Sequence, residues 1–367
     1  MFKIALEASR ANKSHKTGTE WYAWHLLQEF KKIDQINQFI IYYHQDLAEA
    51  LTQNAPANFI FRKLNWPFKK FWTHFRLSWQ LLRQKPDKFF ASNSLPLLTR
   101  GQAIVTIHDL GFYKNPELYH FLERWYQKIS HYLSIKRADK IIAVSENTAQ
   151  DIRKYFPKAK NKIQVIYNGW NQEEFKMIDS VERENILDKY DLPEKFILYI
   201  GRIETKKNIQ NLLKAFALLK NKDYHLVLAG RPGNFGYQEI LDLSKKAEIK
   251  DRVHLIGYIR QQDYAKLLAC ANLFVFPSKF EGFGIPVLEA MGSAVPTVIS
   301  DLGVLREIAN NASVYFDPER AEDMAQKIDA VLADDVLQKE LIEKGLKQCA
   351  KFSWSKCARE TLAYILK

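Results

Sequence analysis

Two glutamates stand in a stretch whose residue types suit the binding of a phosphorylated ligand. In FVFPSKFEGFGIPVLEAM, a buried strand ends at Pro277, a glycine-containing loop follows, and a helix begins near Ile285 and Pro286. Proline suits the first turn of a helix because the N–H group that it lacks would have no partner there. The loop therefore presents backbone N–H groups at a helix N-terminus, a site that favours a diphosphate. The loop residues are Glu281, Gly282, Phe283 and Gly284.

The two carboxylates in this stretch suit the hydroxyl groups of a sugar. Glu281 precedes the helix and Glu289 lies within it, so one carboxylate can accept hydrogen bonds from sugar hydroxyls while the other reaches a ribose. A diol offers two donors to the two oxygens of a carboxylate. The alternative, in which Glu281 caps the helix and Glu289 is an exposed helical residue, stays open at this point.

The phrase FPS-x-x-EGFG-x-P-x-LEAM resembles the Glu-x7-Glu motif of the retaining glycosyltransferases of family four, which have the GT-B fold. The resemblance covers essentially the whole chain and is closest to mannosyltransferases. It implies that a hexose, expected to be mannose from GDP-mannose, moves from a nucleotide-sugar to a glycan or lipid-linked acceptor with retention of configuration. The chain departs from the family pattern in Met291–Pro296 and in its first loop, which carries Lys13, His15 and Lys16.

Two basic residues flank the turn after another strand. In FILYIGRIETKKNIQNLLKAF, the strand ends in Gly201 and Arg202, and a helix begins near Asn208, just after Lys207. Ligands of open α/β sheets bind beyond the carboxyl ends of the strands. The resemblance implies that Arg202 and Lys207 bind the donor phosphates and neutralise the leaving diphosphate, where each charge-assisted contact contributes about 1.5–3 kcal/mol. A solvated basic turn is the alternative, and Lys206 fits it.

The first half of the chain adds three candidates. Gly18 precedes a helix that begins at about Thr19, and it resembles the glycine loop of the family, where the backbone approaches the donor phosphate or the acceptor. A plain turn is the alternative for Gly18. In AIVTIHDLGFYKNPE, His108 and Asp109 come just past a buried strand, where the resemblance implies that they face the donor sugar. A structural histidine is the alternative for His108. Ser145 is predicted to be a helix N-cap.

These assignments give two overlapping groups of site residues. The predicted catalytic residues are His108, Asp109, Arg202, Lys207 and Glu281. The predicted donor-binding residues are Gly18, Arg202, Lys207, Glu281, Gly282, Phe283, Gly284, Ile285 and Glu289. No Asp-x-Asp sequence occurs, so we expect no metal and no cofactor besides the nucleotide-sugar substrate. Arg202, Lys207 and helix dipoles then balance the charge, and the departing diphosphate helps to deprotonate the acceptor.

Positive charge is concentrated in the first half. Residues 1–175 contain 26 Lys and Arg against 15 Asp and Glu, and residues 58–86 contain seven basic and no acidic residues. A basic amphipathic helix rich in aromatic residues suits an anionic lipid surface. The alternative is a helix whose aromatic stripe packs on its own sheet. The basic residues are Arg62, Lys63, Lys69, Lys70, Arg76, Arg83 and Lys85, and the aromatic ones are Trp66, Phe68, Phe71, Trp72, Phe75 and Trp79.

A basic nucleic-acid-binding protein without catalytic activity is the alternative function. It would account for the charge, but no helix-turn-helix, zinc or RNA-binding signature occurs, and the motif of the second half would have no role. We therefore expect a nucleotide-sugar donor and a glycan or lipid-linked acceptor as partners, and no nucleic acid. The chain has no signal-peptide pattern and no apolar stretch long enough for a membrane span, which predicts a cytoplasmic location, with peripheral attachment to the inner face of the cell membrane as an option.

Apolar runs rich in β-forming residues alternate with helical patterns over 367 residues, which predicts an α/β protein with two Rossmann-like parallel-sheet domains facing a cleft. The expected acceptor-side domain covers residues 1–175, with helix 353–367 packing back on it, and the nucleotide-sugar domain covers 176–352. Predicted strands are Lys3–Glu7, Phe39–Tyr43, Phe59–Phe61, Lys88–Ala91, Ile104–His108, Lys140–Val144, Lys162–Tyr167, Phe196–Ile200, His225–Ala229, Val253–Ile256, Leu273–Phe276, Thr297–Ile299 and Ser313–Phe316.

Overall fold

The computed structural model describes residues 1–13, 16–68, 71–233 and 235–367. Three residues named above, His15, Lys69 and Lys70, lie outside this part of the chain. The described residues form two compact units. The first contains residues 1–116, 121–169 and 353–367, and the second contains residues 117–120 and 170–352.

The first unit is built on a parallel sheet of seven strands in the order β3-β2-β1-β4-β5-β6-β7. Its strands are β1 (Lys3–Glu7), β2 (Gln38–Tyr43), β3 (Phe59–Lys63), β4 (Lys88–Ala91), β5 (Gln102–Ile107), β6 (Lys140–Ala143) and β7 (Ile163–Val165). Its helices are α1 (Gly18–Ile33), α2 (Glu49–Thr52), α3 (Ser78–Gln84), α4 (Gly111–Lys114), α5 (Phe121–Arg137) and α6 (Glu146–Tyr155), and the C-terminal helix of the chain, α15 (Trp354–Leu366), belongs to the same unit. The Trp354 ring stacks on His25 of α1 at 4.7 Å.

The second unit has a parallel sheet of six strands in the order β10-β9-β8-β11-β12-β13. Its strands are β8 (Phe196–Ile200), β9 (His225–Ala229), β10 (Val253–Gly257), β11 (Leu273–Phe276), β12 (Thr297–Ser300) and β13 (Val314–Phe316). Its helices are α7 (Ser180–Tyr190), α8 (Ile209–Leu218), α9 (Tyr237–Ser244), α10 (Gln261–Cys270), α11 (Ile285–Gly292), α12 (Gly303–Ala309), α13 (Ala321–Leu332) and α14 (Asp335–Cys349).

Every predicted strand is confirmed, with ends that differ from the predicted ones by at most two residues. Strands of a parallel sheet are buried on both faces, so they read as continuous apolar runs rather than as alternating ones. All four residues of β11, Leu-Phe-Val-Phe, are buried, as are all four of β12. The predicted N-cap is also confirmed, because the Ser145 hydroxyl accepts the Thr148 N–H at 3.0 Å.

In the described part of the basic run 58–86, helical structure is confined to the second half. Phe59–Lys63 pairs with β2 as a strand, and helical structure begins only with a π-helical turn at Thr73–Leu77 that continues into α3. Proline cannot continue a helix through its own position, and Pro67 stands between the two parts. Among the described residues, no helix combines the length and the apolar character that a bilayer crossing requires.

A close contact at the end of α11 gives a test of packing in the second unit. A β-carbon at Gly292 would lie 2.2 Å from the buried Trp170 ring, and the indole N–H of Trp170 is fixed by the Cys349 carbonyl at 2.8 Å. We expect Gly292→Ala to lower the free energy of unfolding by about 1–3 kcal/mol, despite the higher helix propensity of alanine. Urea unfolding of the whole chain, followed by circular dichroism, measures the change.

The matched control is Gly345→Ala in α14, where the nearest neighbour is a flexible Met291 side-chain atom at 3.1 Å. This variant should keep a midpoint close to that of the wild type. Equal midpoints for the two variants would contradict the packing argument.

Candidate active site

The carboxyl ends of β8 and β11 meet at the point where the strand order of the second sheet reverses. β8 pairs with β9 on one side and with β11 on the other, so the chain leaves these neighbouring strands into two adjacent loops. The loops touch through their backbones, because the N–H of Lys279 donates to the carbonyl of Lys206 at 3.1 Å. Such a reversal leaves a crevice at the strand ends where ligands of α/β sheets bind.

Lys207 and Glu281 come from these two loops and form an ion pair. The Lys207 Nζ donates to Glu281 Oε1 at 2.5 Å, and both side chains are mostly buried, with 18% and 14% of their surface exposed. Lys207 ends a short 3₁₀ turn, Thr205–Lys207. Two predicted site residues that are 74 positions apart are thus in direct contact.

The residue that precedes the first turn of α11 is Gly284, not Glu281. Gly284 occupies the N-cap position with φ 106°, a left-handed conformation that favours glycine, and no side chain caps the helix. The capping alternative for Glu281 is therefore wrong, because its carboxylate is bound to Lys207. The Phe283 side chain is buried and packs edge to face on Phe352, with ring centroids 6.0 Å apart, so only its backbone can serve a ligand. Ile285 is half-buried in the first turn.

Arg202 follows β8 and differs from Lys207 in its surroundings. About half of its side chain, 46%, is exposed, and its Nε lies 3.6 Å from Glu204 Oε2. This separation is longer than a hydrogen bond, so the contact holds the guanidinium only loosely. Arg202 thus presents a cation at the carboxyl end of β8, on the edge of the sheet where Lys207 also lies.

Glu289 is half-buried, so the alternative that made it an exposed helical residue is wrong. Its Oε2 accepts the Tyr264 hydroxyl of α10 at 2.6 Å, and the Phe175 ring packs edge to face on Tyr264. Burial raises the pKa of Glu289 to about 8, with a smaller contribution from the negative Glu174, against the lowering effect of the Tyr264 hydrogen bond. A neutral carboxyl at pH 7 can both donate to and accept from neighbouring hydroxyls.

In the first unit, β1, β4 and β5 are neighbours, and His108 follows β5. Its Nε2 donates to the Ser92 carbonyl, just past β4, at 2.7 Å, and the Tyr22 ring meets the imidazole edge to face at 4.9 Å. Burial lowers the pKa of His108 to about 4, against the hydrogen bond to Ser92. His108 is therefore neutral at pH 7, with the proton on Nε2 and a lone pair on Nδ1. Asp109 Oδ1 accepts the Gly111 N–H at 2.8 Å at the start of α4.

Gly18 is the first residue of α1, and a β-carbon there would meet nothing within 4 Å. Packing within the unit does not require glycine at this position.

Near Gly18 lies an ionic cluster that the sequence analysis missed, in which the buried Glu20 accepts from Lys13 at 2.9 Å and from Arg10 at 3.3 Å. Burial alone would raise the pKa of Glu20, but hydrogen bonds from Thr17 and Lys13 lower it to about 2.

The site residues thus fall into two groups, one in each unit. The second unit brings together Arg202, Lys207, Glu281 and the start of α11, with Glu289 further along the same helix. Tyr264, the partner of Glu289, carried no sequence signal, because it lies in an ordinary helical pattern. Within the described part of the chain, no three His, Cys, Asp or Glu side chains stand close enough to hold a metal ion.

Two family models match the chain, "Glycosyltransferase Family 4" over residues 16–174 and "Glycosyl transferases group 1" over residues 182–348. The O-antigen chain mannosyltransferase B of Escherichia coli is 30% identical over 292 residues, which are 78% of this chain and 76% of that protein. The chain belongs to glycosyltransferase family 4. The serotype-specific mannosyltransferase WbdA of Escherichia coli is 33% identical over 267 residues. This match spans 70% of this chain but only about a third, 32%, of WbdA.

A solved structure shows the fold of this glycosyltransferase. Sucrose-phosphate synthase from Thermosynechococcus elongatus superposes with a TM-score of 0.81 at 21% identity, over 99% of this chain and 98% of that one. The predicted fold class, two parallel-sheet α/β domains of the GT-B type, is confirmed.

The raised pKa of Glu289 makes the stability of the glycosyltransferase depend on pH. The carboxyl has a pKa of about 8 when folded and about 4.5 when unfolded, so between these values the folded state holds a proton that the unfolded state has lost. Stability from this group is present below pH 4.5 and is lost as the pH rises towards 8. We expect Glu289→Gln to remove this loss, which amounts to about 5 kcal/mol over the whole range at about 1.4 kcal/mol per pKa unit.

Melting temperatures of the wild type and Glu289→Gln between pH 5 and pH 9 measure this difference. The melting temperature of the variant should rise relative to that of the wild type as the pH increases. Parallel curves would mean that the Glu289 carboxyl is already ionised in the folded protein at neutral pH.

Proposed function

We propose that the protein transfers mannose from GDP-mannose to a glycan or lipid-linked acceptor, with retention of the anomeric configuration. The observation that carries the proposal is the ion pair of Lys207 and Glu281 beside the uncapped start of α11. A cation, a carboxylate and a helix N-terminus then lie together at the ends of β8 and β11, which is what a sugar diphosphate requires. Mannose is favoured because the relatives WbdA and mannosyltransferase B are named mannosyltransferases.

The donor diphosphate binds Arg202, Lys207 and the N-terminus of α11 in this proposal. Glu281 neutralises Lys207 in the protein without substrate, so a phosphate that approaches Lys207 frees the carboxylate for a sugar hydroxyl. Negative charge grows on the diphosphate as the glycosidic bond breaks, and cations that are already in position stabilise that charge more than they stabilise the intact donor. Glu289 binds the ribose hydroxyls, and its neutral form offers both a donor and an acceptor.

The first unit contributes groups for the sugar and the acceptor. His108, neutral and with its Nε2 proton held by Ser92, offers the Nδ1 lone pair to a sugar hydroxyl. Asp109 follows it at the same strand end, and Gly18 leaves room for an approaching ligand, because nothing lies within 4 Å of a β-carbon built there. The acceptor attacks from the face that the diphosphate leaves, and the diphosphate takes up the acceptor proton, which yields retention.

The proposed location of the reaction is the cytoplasmic face of a membrane, where the head group of a lipid-linked acceptor is accessible. The basic residues of the first half favour an anionic lipid surface. The alternative of a nucleic-acid-binding protein would account for this charge, but it gives the pair of Lys207 and Glu281 no role.

Arg202→Ala tests the phosphate assignment. We expect kcat to fall on the order of 10²-fold, as for the loss of one preorganised donor to a developing anion. A panel of sugar nucleotides, including GDP-mannose, first identifies the donor by release of the nucleoside diphosphate, and the acceptor-free hydrolysis of that donor then gives the rate.

The control for Arg202→Ala is Lys206→Ala, one position before Lys207. The Lys206 ammonium lies over the Tyr119 and Phe280 rings at 5.0 and 5.5 Å, so its loss should change kcat little. Wild-type kinetics of Arg202→Ala on the active donor would remove this residue from the phosphate site.

Metal-independence is part of the proposal, because Arg202 and Lys207 supply the positive charge that a divalent cation would otherwise bring. We expect turnover of the donor to be unchanged after dialysis against EDTA. Loss of activity that returns when Mg²⁺ or Mn²⁺ is added would show that a metal takes part in the reaction.

A further inference from the structure

The helix α5 carries its large apolar side chains on its exposed side. At least 47% of each of these side chains is exposed, up to 73% for Leu122. They follow each other at the spacing i, i+1, i+4, i+5, i+8 and i+11, which places them on one face of a helix. They are Phe121, Leu122, Trp125, Tyr126, Ile129 and Tyr132. The buried positions of α5 are His131, Ser134 and Ile135, so this helix is more apolar towards solvent than towards its own sheet.

A second set of exposed apolar side chains lies beside α5 in the same unit. The segment 95–98 joins the two, because the Leu95 N–H donates to Ser134 Oγ of α5 at 3.0 Å and the Leu98 N–H donates to Ser78 Oγ of α3 at 3.0 Å. The Tyr126 hydroxyl also lies 3.5 Å from His74 Nε2. The second set consists of Phe71, Phe75, Trp79, Leu82, Leu97 and Leu98. We call the two sets together the apolar face.

The stretches of sequence that carry the apolar face are rich in basic residues. Residues 58–86 contain seven basic and no acidic residues, and α5 contains four basic residues against one acidic, so these two stretches hold ten of the eleven net positive charges of residues 1–175. The cations lie against the rings themselves. Arg76 and Arg83 lie 4.9 and 5.4 Å from the Trp79 ring, and Arg124 lies 5.5 Å from the Phe121 ring.

We propose that the apolar face docks on an anionic lipid bilayer, with α5 lying in the plane of the interface. Aromatic rings and basic side chains are the groups that the headgroup region accommodates together, with apolar side chains reaching the acyl chains. The sequence prediction of a lipid surface concerned residues 58–86 alone, and the structure adds α5 as the element that inserts. The purpose of docking rests on the proposed lipid-linked acceptor, but the docking itself does not require it.

Two other occupants fit less well. A second copy of the chain would bring two strongly basic faces together, and like charges across an interface oppose association. Nucleic acid would match the charge, yet the aliphatic Leu122, Ile129 and Leu98 have no counterpart on a phosphate backbone. An anionic bilayer matches both the charge and the apolar surface.

The test is co-sedimentation with vesicles of phosphatidylcholine, with and without phosphatidylglycerol, for the wild type and the double variant Leu122→Glu with Ile129→Glu. Both replaced side chains are more than half exposed, so the variant should fold, which circular dichroism checks. We expect the wild type to bind the phosphatidylglycerol vesicles and the variant to bind at least ~10-fold more weakly, because its two new charges must leave water. The matched control is Leu218→Glu with Val336→Glu, two exposed apolar residues of the second unit, which should bind like the wild type.

Tryptophan fluorescence locates the contact. A blue shift on addition of the phosphatidylglycerol vesicles should be smaller in Trp125→Phe than in the wild type.

Equal vesicle binding by the α5 variant and the wild type would overturn the insertion of α5, and so would a wild type that binds no vesicles. A concentration-dependent dimer that the α5 variant loses would assign the face to a second copy instead. Acceptor-free donor hydrolysis separates this inference from the proposed function, because the α5 variant should keep the wild-type rate in solution.

Discussion

The pairing of β8 with both β9 and β11 is the constraint on which the candidate site depends. β8 and β11 are the two central strands of the second sheet, and the strand order runs in opposite directions on either side of them. The loops after β8 and β11 therefore leave the sheet side by side. Lys207 and Glu281 meet only because of that order, and the backbone bond between Lys279 and Lys206 holds the two loops together. The first sheet repeats the pattern, since β1 pairs with β2 and β4. There the loop after β5 meets the loop after β4 through His108 and Ser92.

The ionisable groups of the second unit are arranged so that little uncompensated charge is buried. Lys207 is paired with Glu281, and burial favours the neutral form of Glu289. Arg202 keeps about half of its side chain in solvent. A buried cation without a partner would be costly, so the ion pair allows Lys207 to sit inside the site before any ligand arrives. In the proposed function, an incoming phosphate exchanges one anionic partner of Lys207 for another, and this exchange leaves the Glu281 carboxylate ready for hydroxyl groups.

On the surface of the first unit, large apolar side chains and positively charged side chains are exposed to solvent together. Large exposed apolar patches on soluble proteins commonly serve as contact surfaces, which supports the proposed docking of this face. The residues of the proposed donor site lie on other loops, so the surface and the chemistry can change independently.

The sequence by itself determined the strands and the helix start after the glycine loop, and it predicted which residues bind phosphate and sugar. Strands buried on both faces read as apolar runs, and turn residues such as Gly284 have local backbone requirements, so both are visible along the chain. Three features were decided only by the tertiary structure: the contact of Lys207 with Glu281, the burial of Glu289 against Tyr264, and the exposure of the apolar side of α5. The physical reason is that strand order and packing bring distant segments together, and the side of a helix that faces water depends on its neighbours rather than on its own pattern.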